Sequence, residues 1–96
     1  TMLCLKKLSP TRLVRNGLVD KVAEAEARGA HAEELRDILG KAASKRGIFE
    51  GDTEQGELEI GQIASSVDAI RPAGDIVGQL VEDFRKAQKD VAAIGF

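Results

Sequence analysis

The chain has 96 residues, of which 43% are apolar, 31% charged and 3% aromatic, and its formal net charge at pH 7 is -2. At about 100 to 200 residues per domain, this length allows one domain or part of one, and it excludes a second domain or a large catalytic cavity. Apolar runs such as Met2 to Leu5 are far shorter than the roughly 20 residues that cross a bilayer, so we expect no membrane association.

Residues 1–16 are predicted to be extended, with a strand and a loop. The segment from Met2 to Leu8 is short and apolar, and Pro10 ends it because the residue before a proline is displaced from the helical region. The same residues carry basic side chains and no acidic one. Without Trp or Tyr to stack on bases, these cations support nucleic-acid binding only weakly, and we expect them to face solvent or another subunit. The cations are Lys6, Lys7, Arg12 and Arg15.

Two short helices are predicted within residues 17–46. After the turn dipeptide that begins at Asn16, apolar residues at helical spacing predict an amphipathic helix that ends at Gly29. A second helix is predicted to begin near His31, where two acidic residues follow and favour the amino-terminal end of a helix dipole. Gly40 ends this helix, and a basic turn is expected after it.

A glycine-rich, acidic loop is predicted over residues 47–56. Glycines at this density indicate backbone conformations that other residues disfavour. Ile48 and Phe49 are expected to anchor the loop, while Asp52 and Gln55 are compatible with a capping box for a following helix. The acidic residues lack the spacing and the terminal glutamate of an EF-hand, so we expect a solvated loop rather than a calcium site.

Two helices are predicted over residues 57–96. Apolar residues at helical spacing predict the first from Leu58 to about Ile70. Gly61 lies inside it, where glycine costs about 1 kcal/mol relative to alanine, so we expect a backbone or a ligand to approach closely there. Pro72 separates it from the last helix, whose apolar stripe is the clearest in the sequence. The stripe comprises Ile76, Val77, Leu80, Val81, Phe84, Ala87 and Val91.

Few side chains suit catalysis or metal binding. One cysteine and one histidine cannot supply a zinc site, and no spacing brings Cys4, His31 or Ser44 together as a catalytic pair. His31 is interpreted as a residue at the start of a helix. A lone cysteine forms no internal disulfide, and together with the lack of a signal-peptide pattern it predicts a cytoplasmic protein. Because the chain opens on Thr1, we expect it to begin within a longer polypeptide.

Three stretches carry a family likeness: LKKLSPTRLVRN over 5–16, AEAEARGAHAEELRDIL over 23–39, and GIFEGDTEQGELEIGQIAS over 47–65. The most specific part is the order Glu50-Gly51-Asp52, then Glu54-x-Gly56, then Gly61-Gln62-Ile63-Ala64. Over nearly its whole length, the chain resembles the C-terminal portion of the nitronate monooxygenase family, formerly called 2-nitropropane dioxygenases. That family is related to the flavin-dependent enoyl-acyl-carrier-protein reductases.

The resemblance implies an FMN-binding (β/α)8 barrel, of which this chain would be the C-terminal helical part, mostly α as an isolated chain. It implies oxidation of alkyl nitronates to carbonyl compounds and nitrite, with the flavin carrying the redox chemistry and the protein positioning it. The partners implied are the remainder of the barrel and a small-molecule substrate. Gly61 and Gln62 match the closing motif near the flavin edge and are the implied cofactor-binding residues. His31 does not match the catalytic histidine of the family, so no catalytic residue is assigned.

Three alternatives remain open at this point. The chain could instead belong to the enoyl reductase branch, in which a nicotinamide supplies the electrons. It could also be a non-catalytic helical module that buries its apolar stripes by self-association into a homo-oligomer, because large exposed apolar patches are rare in monomers. Nucleic-acid binding through the basic residues of the first segment ranks last, and we expect no nucleic-acid partner.

Overall fold

The computed structural model describes residues 1–95, which contain two strands, four α-helices and one 3-10 helix. The expectation of a mostly α chain holds only in part, because about half of the described residues are helical and a short sheet accompanies them. No helix within these residues combines the length and the apolar character that crossing a bilayer requires. The elements are β1 (Met2–Cys4), β2 (Thr11–Leu13), α1 (Gly17–Ala27), α2 (Ala32–Leu39), α3 (Ala43–Ile48), the 3-10 helix (Gln62–Ser66) and α4 (Ala73–Ala92).

The sheet joins the start of the chain to its middle. Strand β1 pairs antiparallel with β2, with Met2 opposite Leu13. On the other side of β2, Leu13 also pairs with Glu59, and backbone hydrogen bonds of 2.9 and 3.0 Å flank that bridge. Residues 58–60 therefore lie beside β2 as a third extended segment, and they close residues 1–60 into a packed unit.

The core of the packed unit lies between one face of this sheet and helices α1 and α2. Its fully buried side chains include Leu13 from β2, Val19 and Val22 from α1, and Leu35 from α2. Both helices end where the sequence predicts, since Gly29 and Gly40 adopt positive φ angles of 79° and 66° just beyond them. Glycine reaches this conformation without the steric penalty of a Cβ atom.

Residues 61–95 contribute no buried side chain to the protein. Ala64 is half-buried, and every other residue of this segment is exposed. Helix α4 has the predicted apolar stripe, yet Leu80 and Phe84 in its middle are 63% and 68% exposed. Residues 66–69 and Arg71 lie beside Ile76 and Leu80, and the rest of the apolar face of this 20-residue helix remains exposed.

The predicted helix from Leu58 to Ile70 is wrong. Residues 58–60 pair with β2 instead, and only Gln62–Ser66 form a single 3-10 segment. Leu58 and Ile60 fit the alternation of a strand as well as the spacing of a helix, and pairing with a distant strand decides between the two. Gly61 is consequently not inside a helix but precedes the 3-10 segment in an extended conformation, with φ -87° and ψ 164°.

Two expectations for the glycine-rich loop also need correction. Helix α3 extends through Gly47 to Ile48, so the loop starts later than predicted. Phe49 does not anchor it, because its side chain is 82% exposed, and Ile48 is exposed as well. Asp52 caps a turn rather than a helix: its Oδ1 accepts hydrogen bonds from the backbone N–H groups of Glu54 and Gln55 at 3.1 and 2.8 Å.

Asn16 ties helix α1 to the glycine-rich loop. Its Oδ1 accepts the Val19 N–H at 3.0 Å and caps α1, while its Nδ2 donates to the carbonyl groups of Thr53 and Gly56 at 3.0 and 2.9 Å. We expect Asn16→Ala to lower the free energy of unfolding by about 2 to 3 kcal/mol, the sum of a cap and two hydrogen bonds. Asn16→Ser, which keeps a capping oxygen, should lose about half as much.

Urea unfolding followed by the methyl NMR signals of Leu13 and Val22 measures this difference, because both side chains lie in the core. A loss below about 0.5 kcal/mol for Asn16→Ala would show that the three hydrogen bonds contribute little to stability.

Candidate functional site

The motif that carries the family resemblance divides into two parts in the structure. The first part, Glu50 to Gly56, forms the tight turn between α3 and the third extended segment. The Gly56 N–H donates to the Asp52 carbonyl at 3.0 Å, and Gly51 has a positive φ of 74°. A Cβ atom on Gly56 would clash with the Asp52 carbonyl oxygen and with the Gly47 backbone. These residues are therefore explained by the packing of the turn itself.

The second part, Gly61 and Gln62, has no such explanation within the described residues. A Cβ atom on Gly61 would meet only the Ile63 side chain, 4.0 Å away, so no close approach requires glycine here. The Gln62 carbonyl accepts a hydrogen bond from Ser65 Oγ at 3.1 Å, but its side chain is exposed. Within residues 1–95 that side chain makes no hydrogen bond. The close contact expected at Gly61 is thus absent from the described part of the chain.

An uncovered apolar surface adjoins these two residues. Side chains alternate along paired strands, so Leu3, Val14 and Ile60 share the face of the sheet that is turned away from the core, together with Arg12, which lies directly opposite Leu3. The three apolar side chains are exposed, by 38 to 43%. Ile63, directly after Gln62, is 76% exposed. Gly61 and Gln62 therefore lie where the chain leaves an open apolar sheet face.

Helix α4 adds a second uncovered apolar surface. Val77, Leu80, Phe84, Ala87 and Val91 follow spacings of three and four residues, which place them on one side of the helix. The opposite side carries Glu82 and Lys89. A stripe of this length on a helix is ordinarily buried against other protein, because exposing it to water costs free energy.

Two of the basic residues of the first segment, Lys7 and Arg15, make local contacts. Lys7 Nζ donates to the carbonyl groups of Gly29 and Ala30 at 3.2 and 2.9 Å, at the carboxyl-terminal end of α1. Arg15 forms an exposed ion pair with Asp20 at 3.3 Å. These contacts give Lys7 and Arg15 structural roles within the packed unit.

The three potential nucleophiles or bases lie in different settings. Cys4 is fully buried, and burial, followed by the charge of Glu26, raises the pKa of its thiol and so favours the protonated form. His31 immediately precedes α2, as predicted for a residue at the start of a helix. Its side chain makes no capping hydrogen bond. Ser44 Oγ donates to Glu57 at 3.3 Å. Residues 1–95 bring no three metal-ligating side chains together.

Comparison with known proteins adds no family assignment. No protein-family model matches the sequence, and no curated protein is significantly similar to it. Function therefore has to be argued from the motif residues and from the surfaces that the fold leaves uncovered.

Proposed function

We propose that this chain is the C-terminal part of an FMN-dependent oxidoreductase that resembles the nitronate monooxygenases and oxidises alkyl nitronates to carbonyl compounds and nitrite. In this proposal, Gly61 and Gln62 contact the flavin, and the two uncovered apolar surfaces pack against the remainder of a (β/α)8 barrel. The protein would act in the cytoplasm, in keeping with its single buried cysteine. The isolated 96-residue chain is not expected to be active.

One observation carries the proposal. Within a single motif, Gly51, Asp52 and Gly56 have local structural reasons, whereas Gly61 and Gln62 have none and lie exposed beside an apolar sheet face. Residues that the fold does not need for itself are suited to contact something outside the chain. The uncovered stripe of α4 supports the same interpretation, because it requires a partner that residues 1–95 do not supply.

The residues at this position fit one edge of a flavin. The Gln62 amide can both donate and accept a hydrogen bond, as the polar edge of the ring system requires, and the absence of a side chain at Gly61 allows a flat group to approach the backbone. Ile60 and Ile63 would provide the apolar flank. When bound, FMN supplies the electron transfer, and this chain would orient it and exclude water. The phosphate-binding loops would come from the remainder of the barrel.

Two other functions are distinguished by simple measurements. Membership of the enoyl reductase branch would make turnover depend on a nicotinamide, whereas nitronate oxidation would not. A self-associating helical module is favoured by the heptad-like spacing of the α4 stripe, and it would produce a stable oligomer without flavin. Nucleic-acid binding, which would be strongly salt-dependent, is not part of the proposal.

The proposal is tested with the polypeptide expressed from its own gene. We expect it to release nitrite from an alkyl nitronate without added nicotinamide, and we expect Gln62→Ala to lower this rate about 10-fold or more, as the loss of one hydrogen bond in a desolvated site. Gln55→Ala is the matched control, since Gln55 is exposed and its side-chain oxygen accepts a hydrogen bond from Lys21 at the surface. Equal rates for both variants would remove Gln62 from the site, and absence of nitrite release would overturn the proposed reaction.

A further inference from the structure

A groove between strand β1 and helix α1 is a concave feature that the function above does not use. Its volume is about 490 Å³, within the range of about 300 to 1,000 Å³ that small-molecule sites occupy. Met2 and Leu3 line it on the side of β1, and Ala23 and Ala27 line it on the side of α1. The two alanines lie four residues apart, on one face of the helix, and their short side chains leave the space open.

The mouth of the groove carries positive charge. Lys6 and Lys7 both line it, and Lys7 is held there by its hydrogen bonds to the carbonyl groups at the end of α1. Glu26 is the acidic residue in the lining, and its Oε1 already accepts the Lys6 backbone N–H at 2.8 Å. The ammonium group of Lys6 is exposed and has no ion pair within residues 1–95.

An unusual backbone conformation positions the two lysines. Leu5, which follows β1 directly, has a φ of 59°, a left-handed conformation that is strained for a residue with a Cβ atom. Its side chain is buried, and the Leu8 N–H donates to its carbonyl at 3.0 Å, which completes a turn. The strained residue thus turns the chain so that Lys6 and Lys7 lie over the carboxyl-terminal end of α1.

We propose that this groove binds a small amphiphile with an anionic head group, such as a medium-chain carboxylate. Its apolar chain lies between Met2 and the alanine face of α1, and its carboxylate pairs with Lys6. An apolar groove whose mouth carries a lysine without an ion pair among the described residues is complementary in both shape and charge to such a molecule. The groove shares Leu3 with the open sheet face but neither Gly61 nor Gln62, so this proposal is independent of flavin binding.

The probe is decanoate, titrated into the 96-residue chain and followed by backbone amide NMR. We expect saturable shifts at Met2, Leu3, Ala23 and Ala27, and no shifts with acetate. Lys6→Gln should weaken decanoate binding about three- to fivefold, as loss of a partly exposed ion pair, and should leave binding of decanol unchanged. Ala27→Leu, an exposed position at the end of α1, should abolish binding of both. Lys89→Gln on α4 is the charge-matched control and should change nothing.

Three results of these experiments would overturn the proposal. Shifts centred on the α4 stripe would show adsorption to exposed apolar surface and overturn the proposal. Equal weakening by Lys6→Gln and Lys89→Gln would show a general charge effect and overturn the assignment of the head group. Retained binding in Ala27→Leu, with an otherwise unchanged spectrum, would show that the groove is not the site. None of these outcomes bears on flavin content.

Discussion

Gly56→Ala is expected to unfold the packed unit of residues 1–60, whereas Gly61→Ala is expected to leave its stability unchanged. The added methyl group at Gly56 meets backbone atoms of Asp52 and Gly47, including the Gly47 nitrogen at 2.7 Å, and backbone cannot move aside as a flexible side chain can. We expect a loss of about 4 kcal/mol or more, a large share of the stability of a small domain. The methyl group at Gly61 meets only the Ile63 side chain, 4.0 Å away, which is an ordinary van der Waals distance.

Urea unfolding of the isolated chain, followed by the methyl signals of Leu13 and Val22, provides the comparison. In the polypeptide expressed from its own gene, we expect Gly61→Ala to reduce the amount of bound FMN while the fold stays intact. Gly78→Ala, at another glycine with nothing near its Cβ position, serves as the control in both measurements. If Gly61→Ala destabilised the isolated chain as much as Gly56→Ala, Gly61 would have a structural role in the packing of residues 1–60, contrary to the prediction.

The double change Leu80→Gln and Phe84→Gln is expected to have little effect on the isolated chain and a large effect on the polypeptide expressed from its own gene. In the isolated chain both side chains are largely exposed, so the stability of the packed unit should change by less than about 0.5 kcal/mol. In the polypeptide expressed from its own gene, burial of both against other protein would make the same change cost several kcal/mol. The variant should then be insoluble or lack flavin.

The matched control changes the opposite face of the same helix. Glu82→Gln with Lys89→Gln keeps the net charge and introduces the same residue type where α4 is polar. It should be tolerated in both contexts. If size-exclusion with light scattering showed an oligomer of the isolated chain that only the stripe variant dissociates, and no flavin were found, the self-association alternative would replace the flavoenzyme proposal.

The ends of the helices were predicted from glycine and proline residues located at those ends. Gly29 and Gly40 ended α1 and α2 because a left-handed residue is needed there, and Pro72 stands immediately before α4. The stripe of α4 was predicted because 20 residues of one helix repeat the same pattern. In each case the cause lies within a few residues of the effect.

Non-local contacts account for what the sequence did not reveal. Leu58 and Ile60 satisfy two periodicities, and only pairing with β2, more than 40 residues away, makes them extended. Asn16 was interpreted as part of a turn dipeptide, but its contacts to Thr53 and Gly56 lie 37 and 40 residues along the chain. The groove beside α1 gave no signal either, since alanines in an amphipathic helix do not indicate empty space.

The candidate site was predicted by resemblance and not by pattern. Composition and spacing gave no reason to select Gln62, an exposed amide in a chain that contains several. Gly61 was selected because a glycine inside a helix suggested a close approach of another group. The residue is not in a helix, however, and no described atom approaches it closely. What remains is the contrast between the two parts of the motif, and it becomes visible only when the packing of the turn is known.

The flavin content of the polypeptide expressed from its own gene tests whether residues 61–95 cover a flavin-binding partner structure. We predict a yellow protein that releases one FMN per chain on denaturation, with the α4 stripe protected from hydrogen exchange. A colourless protein that takes up no added FMN, and whose α4 stripe is exposed or paired only with another copy of itself, would contradict the account.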